Sequence, residues 1–282
     1  MRRLAGLATT VFAITLPVAC GGSSKPAARA PASGGVAASR LDLVVLLARG
    51  PMEGLLVPLA CYDAKVATLW TGDGCLSRIP TGAAIGLLEV PVQARASAEH
   101  VALATCNRPE GMTSIQALSV AGDIDRGAVA LWPAGAPVAQ RASADPEWET
   151  SSAEDEALVG AVATLDASVQ GEMIIQQALR SDLDGDGRPE RLYVVAVDDD
   201  SADIPRRFSG VLIDWGQGPK VVLSRAATPG EEHAVRALAD LDHDGRRELV
   251  IDERWNDGYD LGLWRVTEAR ALERMAGIDC DR

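Results

Sequence analysis

The sequence predicts an all-β fold built from antiparallel β-blade repeats of propeller type, two of them clear and two degenerate. Three observations predict it. The stretch "SDLDGDGRPERLYVV" (181–195) sets Asp182, Asp184, Asp186, Gly187 and Glu190 ahead of an apolar run, and "ADLDHDGRRELVIDERW" (239–255) repeats it with Asp240, Asp242, Asp244, Gly245 and Glu248, 58 residues later. Both copies follow an apolar lead-in, "MIIQQAL" and "HAVRALA", and run into β-type segments, "RLYVVAV" and "ELVIDERW". Hairpin signals follow each copy: "GQGPK" between two apolar runs in the first, and Asn256-Asp257-Gly258 in the second. A sequence period of this length is that of a multi-stranded unit repeated along the chain. Stepping back by a similar period reaches "SVAGDIDRGAVALW", with Asp123 and Asp125, and then "CYDAKVATLW", with Asp63 alone.

In chain order, residues 1–19 have a basic start at Arg2 and Arg3 and an apolar run ending in small residues, too short for a permanent membrane span. "LPVAC" followed by "GGSS" resembles a bacterial lipoprotein signal, which implies cleavage after Ala19 and lipidation of Cys20; Pro17 stands where that signal has a branched aliphatic residue. The alternative is an ordinary secretory signal cut nearby. Residues 20–40 are rich in Gly, Ser, Ala and Pro and read as a flexible linker. Five of the 27 basic residues precede Asp42 and none of the 40 acidic residues do, so the body carries a net charge of −18 against −13 for the whole chain. Such a body repels nucleic acid and anionic membrane surfaces and attracts divalent cations.

Residues 41–150 are expected to be β-rich, as degenerate blades or a separate domain. Four cysteines besides Cys20 fit a disulfide framework in an exported chain. Of three pairings, proximity across the "TGDG" turn favours Cys61 with Cys75, which leaves Cys106 for Cys280. Ser151 and Glu154 form a capping-box pattern ahead of Leu158, Ala161, Val162 and Leu165, so a helix or connector is expected within 151–169. Residues 170–282 hold the two clear repeats.

Each acidic loop offers Asp at positions 1, 3 and 5, a glycine for the sharp turn at 6, a backbone carbonyl at 7 and a carboxylate at 9. That oxygen-only set suits a hard divalent ion, calcium above all. The expected ligands are Asp182, Asp184, Asp186, Arg188 and Glu190 in one loop, and Asp240, Asp242, Asp244, Arg246 and Glu248 in the other, the arginines through their carbonyls. An EF-hand needs a bidentate Glu at position 12, where Tyr193 and Ile251 stand, and it needs helices where these loops have strands. The loops resemble the calcium loops of FG-GAP/VCBS-type repeats, close to D-x-D-x-D-G-x-x-D before a strand. Here Glu replaces the last Asp, and the family's Phe-Gly and Gly-Ala-Pro signatures are missing. The resemblance reaches over 170–266 and implies calcium-stabilised blades serving as an extracytoplasmic platform.

Catalytic patterns are sparse. His100, His233 and His243 lie in unrelated contexts, and no Gly-x-Ser-x-Gly or His-Glu-x-x-His occurs. "DDDSAD" (198–203) reads as a solvated loop, and the six tryptophans as mostly core, with Trp215 and Trp255 nearest to turns. The expectation is a non-enzymatic calcium-binding lipoprotein of the bacterial envelope. It would be held to a membrane by its lipid, with its body in the periplasm or at the surface, and act in adhesion, binding or assembly on a protein or glycan. A carbohydrate or cell-wall binding module is the alternative, and an envelope hydrolase a third.

Overall fold

The structure, a computed structural model, describes residues 42–50, 52–88, 93–104, 106–107, 115–121, 124, 128–144, 148–169, 171–198, 206–226 and 232–281. The signal segment, Cys20, the linker, Asp123 and Asp125 lie outside the described residues. Among those described, the chain is antiparallel β with one α-helix and one 3-10 helix.

The first sheet closes on itself. Strands β1 (Leu43–Arg49), β2 (Leu55–Asp63), β4 (Ala84–Leu87), β5 (Gln93–Leu103), β7 (Ile115–Ala121) and β8 (Val129–Trp132) pair in the ring β1-β8-β4-β5-β7-β2, sealed by β1 against β2. Strand β3 (Thr68–Thr71) folds back on the far half of β2. Closure removes the open edges that would otherwise invite a passing strand. One buried cluster draws on all six strands (Val45, Leu47, Leu56, Ile85, Ala94, Leu118 and Ala130 among them) and fills the barrel. The Cys61–Cys75 disulfide and Leu76 of the 3-10 helix Gly72–Arg78 join it. Residues 43–132 are therefore a barrel rather than two further repeats, and Asp63, expected to mark one of them, ends β2 and pairs with Arg78 at 3.2 Å.

The two clear repeats fold as two four-stranded meanders. The first is β10 (Glu172–Ser181), β11 (Glu190–Asp198), β12 (Arg206–Asp214) and β13 (Pro219–Ala226); the second is β14 (Glu232–Ala239), β15 (Glu248–Trp255), β16 (Gly258–Val266) and β17 (Leu272–Asp281). Two short strands leave the front half to complete the second sheet, β6 (Cys106–Asn107) beside β17 and β9 (Ala139–Arg141) beside β14. Cys106 faces Cys280 in that ladder and the two are disulfide-bonded, the expected pairing.

Side-chain alternation shows how the layers stack. In β1, Val44, Leu46 and Ala48 turn away from the barrel interior towards Val250, Leu261, Leu263 and Ile278 of the second meander. The other face of that meander, through Leu249 and Ile251, meets Leu192, Val194, Val211 and Ile213 of the first. The opposite face of the first meander, through Tyr193, Val195 and Leu212, is covered by Leu158 and Val162 of helix α1 (Ser152–Leu165). Strands β11 and β15 are thus buried on both faces, which suits the unbroken apolar runs Leu192–Val197 of β11 and Leu249–Ile251 of β15. Burial of each such large side chain contributes roughly 1.5–3 kcal/mol.

The expected helix is present, with its capping box: Glu154 N–H donates to Ser151 Oγ, and Ser151 N–H to Glu154 Oε2. Its last residue is Leu165, short of Val169. The Gln177 amide ties the meanders together, donating to the carbonyls of Val235 and Ala142 and accepting from Val235 N–H.

Candidate metal centre

The first acidic loop, residues 182–189, joins β10 to β11, and its carboxylates fold the backbone around themselves. Asp182 accepts from the N–H groups of Gly185 (2.9 Å) and Gly187 (3.0 Å), Asp184 from Asp186 and Asp186 from Arg188. Gly185 and Gly187 sit at φ +78° and +82°, where a side chain is disfavoured. Leu183 is fully buried and plugs the loop into the core between the meanders. Glu190, the first residue of β11, reaches back so that its Oε2 accepts from Leu183 N–H at 2.7 Å.

This folding brings Asp182, Asp184 and Glu190 together, each with a carboxylate oxygen within 4.8 Å of the others. Glu190 is 6% exposed. Burial pushes its carboxyl above the ordinary range, against the pull of the Leu183 N–H, and the charges of Asp184 and Asp186 push the same way. A cation among these oxygens would relieve that crowding. Asp186 is turned outward, and the arginine at position 7 enters through its N–H. Arg270, from the turn after β16, lies over the loop, with Nε donating to Asp184 Oδ2 at 3.0 Å and Nη2 3.6 Å from Asp186.

The second loop, residues 240–247, repeats the architecture. Leu241 is the buried plug and its N–H donates to Glu248 Oε2 at 3.0 Å; Gly245 donates to Asp240 and Arg246 to Asp244. Asp240, Asp242 and Asp244 converge, but Glu248 lies outside that group. Its Oε1 is held by Arg265, which faces it across the β15–β16 ladder and donates from Nε (3.1 Å) and Nη2 (2.9 Å), while Nη2 also donates to Asp242 Oδ2 at 2.6 Å. The Glu248 side chain is fully enclosed, and burial pushes its carboxyl up to about 7 although Leu241 and Arg265 pull it down. Asp242 Oδ1 is buried without a hydrogen-bond partner.

The two loops lie side by side. Arg247 N–H donates to Leu183 C=O at 2.9 Å, and a Cβ added to Gly185 would stand 2.8 Å from the Gly245 carbonyl oxygen. His243 of the second loop meets Tyr62 of the barrel edge-on, ring centroids 6.2 Å apart. Spacing alone did not reveal Leu183 and Leu241, although leucine at position 2 of both copies was the available signal. Arg265 and Arg270 carried none, since each belongs to a later strand or turn.

The donor sets are oxygen-only. Among the described residues, neither convergent group includes His or Cys, which fits a hard divalent cation and not a thiolate-seeking one. Of the carboxylates expected to ligate, Asp182, Asp184 and Glu190 converge in the first loop and Asp240, Asp242 and Asp244 in the second, where Glu248 is paired with Arg265.

Other features resolve differently. His233 is buried and its Nδ1 lies 2.8 Å from Ser209 Oγ, with Nε2 3.7 Å from Glu253. Ser209 is fully buried and accepts from His233 N–H, so this serine–histidine–carboxylate array braces β12 against β14. A cavity of about 510 Å³ opens nearby, lined by Arg141, Gln177, Glu232, His233 and Arg236 among others. None of the six tryptophans is exposed; Trp215 and Trp255 are half-buried, and Arg270 lies 5.7 Å from the Trp215 ring. Of "DDDSAD", Asp198 ends β11 and the rest lies outside the described residues. No described helix is long and apolar enough to cross a membrane. No family model, curated protein or solved structure matches this chain.

Proposed function

We propose that this protein is a non-enzymatic, calcium-binding lipoprotein of the bacterial envelope whose sheets serve as an adhesion, binding or assembly platform. The observation that carries the reading is the convergence of Asp182, Asp184 and Glu190 in a loop between two strands. Hard oxygen donors, a buried carboxylate with its proton affinity raised by burial, and a body of net charge −18 all favour a divalent cation. Two four-stranded meanders packed face to face, each with its acidic loop between first and second strands, are the arrangement that adjacent FG-GAP/VCBS-type blades would adopt. Asp182, Asp184 and Glu190 would hold the ion, Asp186 would join by turning inward, and the Arg188 carbonyl would complete the oxygen set. Calcium would supply charge neutralisation and folding free energy, by binding the native state alone. The lipoprotein-like "LPVAC" segment and two disulfides accord with an exported chain tethered through Cys20.

Thermal melts with millimolar calcium and with chelator test the metal reading. The melting temperature is expected to rise with calcium, and identical curves would sink it. Metabolic labelling with a radioactive fatty acid tests the anchor, and the label should vanish in Cys20→Ser.

A further inference from the structure

The two acidic loops match in sequence but differ in where their positive charge comes from. We propose that Arg265 is a built-in cation of the second loop, so that the protein binds one divalent ion, at the first loop, and keeps the second folded without one. This rests on the calcium reading above and divides its two sites.

The Arg265 guanidinium contacts both Glu248 Oε1 and Asp242 Oδ2, two of the oxygens the spacing assigns to a metal. Glu248 is wholly enclosed, so Arg265 cannot leave without stranding a buried carboxylate, a strongly destabilising change. An ion drawn instead to the unpartnered Asp242 Oδ1 would sit at most about 7 Å from Arg265 Nη2, given a calcium–oxygen distance near 2.4 Å. It would be repelled by a charge that has nowhere to go.

The first loop lacks this lock. The β11–β12 ladder begins with Arg191 facing Asp214, the last residue of β12, so Glu190 has no arginine paired across the ladder as Glu248 has in Arg265. The arginine on this loop is Arg270, which is 40% exposed, reaches in from a turn and contacts Asp184 and Asp186 rather than Glu190. Of its partners Asp186 is 39% exposed and Asp184 12%, and neither contact involves Glu190, so an arriving ion can displace Arg270 into water while Glu190 stays free to ligate.

Calcium titration of the purified chain by isothermal calorimetry reads this out as a stoichiometry. One ion per chain is expected for the natural protein and none for Asp184→Asn. Two are expected for Arg265→Gln, whose amide keeps a hydrogen bond to Glu248 but removes the charge. Two ions of equal affinity in the natural protein would overturn the proposal. So would one tight ion surviving in Asp184→Asn, or a folded Arg265→Gln still binding one. If Arg265→Gln fails to fold, the first two measurements decide. No calcium heat at all, together with melts unmoved by chelator, removes the calcium reading and this division with it.

Discussion

Alanine substitution at two glycines of the first loop separates backbone strain from the contact between loops. Gly187 and Gly185 have nearly the same conformation, φ +82° and +78°, so an alanine at either adopts a left-handed backbone that costs an L-residue about 1–2 kcal/mol. A Cβ on Gly187 meets nothing within 4 Å, whereas one on Gly185 lands 2.8 Å from Gly245 O and 3.0 Å from Gly245 C. Both are backbone atoms and cannot rotate away. Relief requires the loops to part, which strains the Arg247 N–H to Leu183 C=O bond, a further 0.5–1.5 kcal/mol or about that. Gly187→Ala should therefore lose about 1–2 kcal/mol and Gly185→Ala about 1.5–3.5 kcal/mol, the excess at Gly185 being about 0.5–1.5 kcal/mol. Urea denaturation in chelator, followed by tryptophan fluorescence, measures the difference without a metal contribution. Equal losses, or a larger one at Gly187, would refute the packing of the two loops.

Two further outcomes follow from other parts of the fold. Replacing Cys106 and Cys280 together by serine opens a link spanning 174 residues and should destabilise by about 5 kcal/mol in the chain-entropy account. Replacing Cys61 and Cys75, 14 residues apart, should lose about 3 kcal/mol, so the order of the denaturation midpoints checks the reasoning. Burial works to raise the Glu154 carboxyl, but hydrogen bonds from Tyr193 Oη and Ser151 N–H and the charge of Arg191 outweigh it and hold it below its usual 4.5. That contribution is present above pH 4.5 and lost as pH falls through the lowered value. Glu154→Gln should be about 1 kcal/mol less stable than the natural protein at pH 6, with the gap closing as pH falls through that lowered value.

Local chemistry was legible wherever the interacting residues lie within one turn or one loop. The capping box at Ser151 and Glu154, the acidic spacing of both loops and the Cys61–Cys75 link all join residues near in sequence. The repeat made the antiparallel strands around each loop readable, because both copies place Glu190 and Glu248 at the head of a strand. The sites themselves were only half visible: the spacing grouped four carboxylates per loop, and the folded loops converge three, leaving out Asp186 in one and Glu248 in the other.

The sequence by itself determined the all-β character and the doubled acidic loop, since each follows from residue type and short-range spacing, and it favoured, among three cysteine pairings, the one the fold adopts. Only the tertiary structure decided that residues 43–132 close into a barrel, because β1 is sealed between β2 and β8, and nothing in β1 names the strand some 80 residues on that completes the ring. It alone decided that the loops are unequal. Arg265 reaches Glu248 because a hairpin sets them opposite each other on adjacent strands, whereas the β11–β12 ladder of the first meander begins at Arg191 and places no β12 residue opposite Glu190. Charge at a metal loop is a sum over space, and strand pairing, not sequence distance, sets which charges enter it.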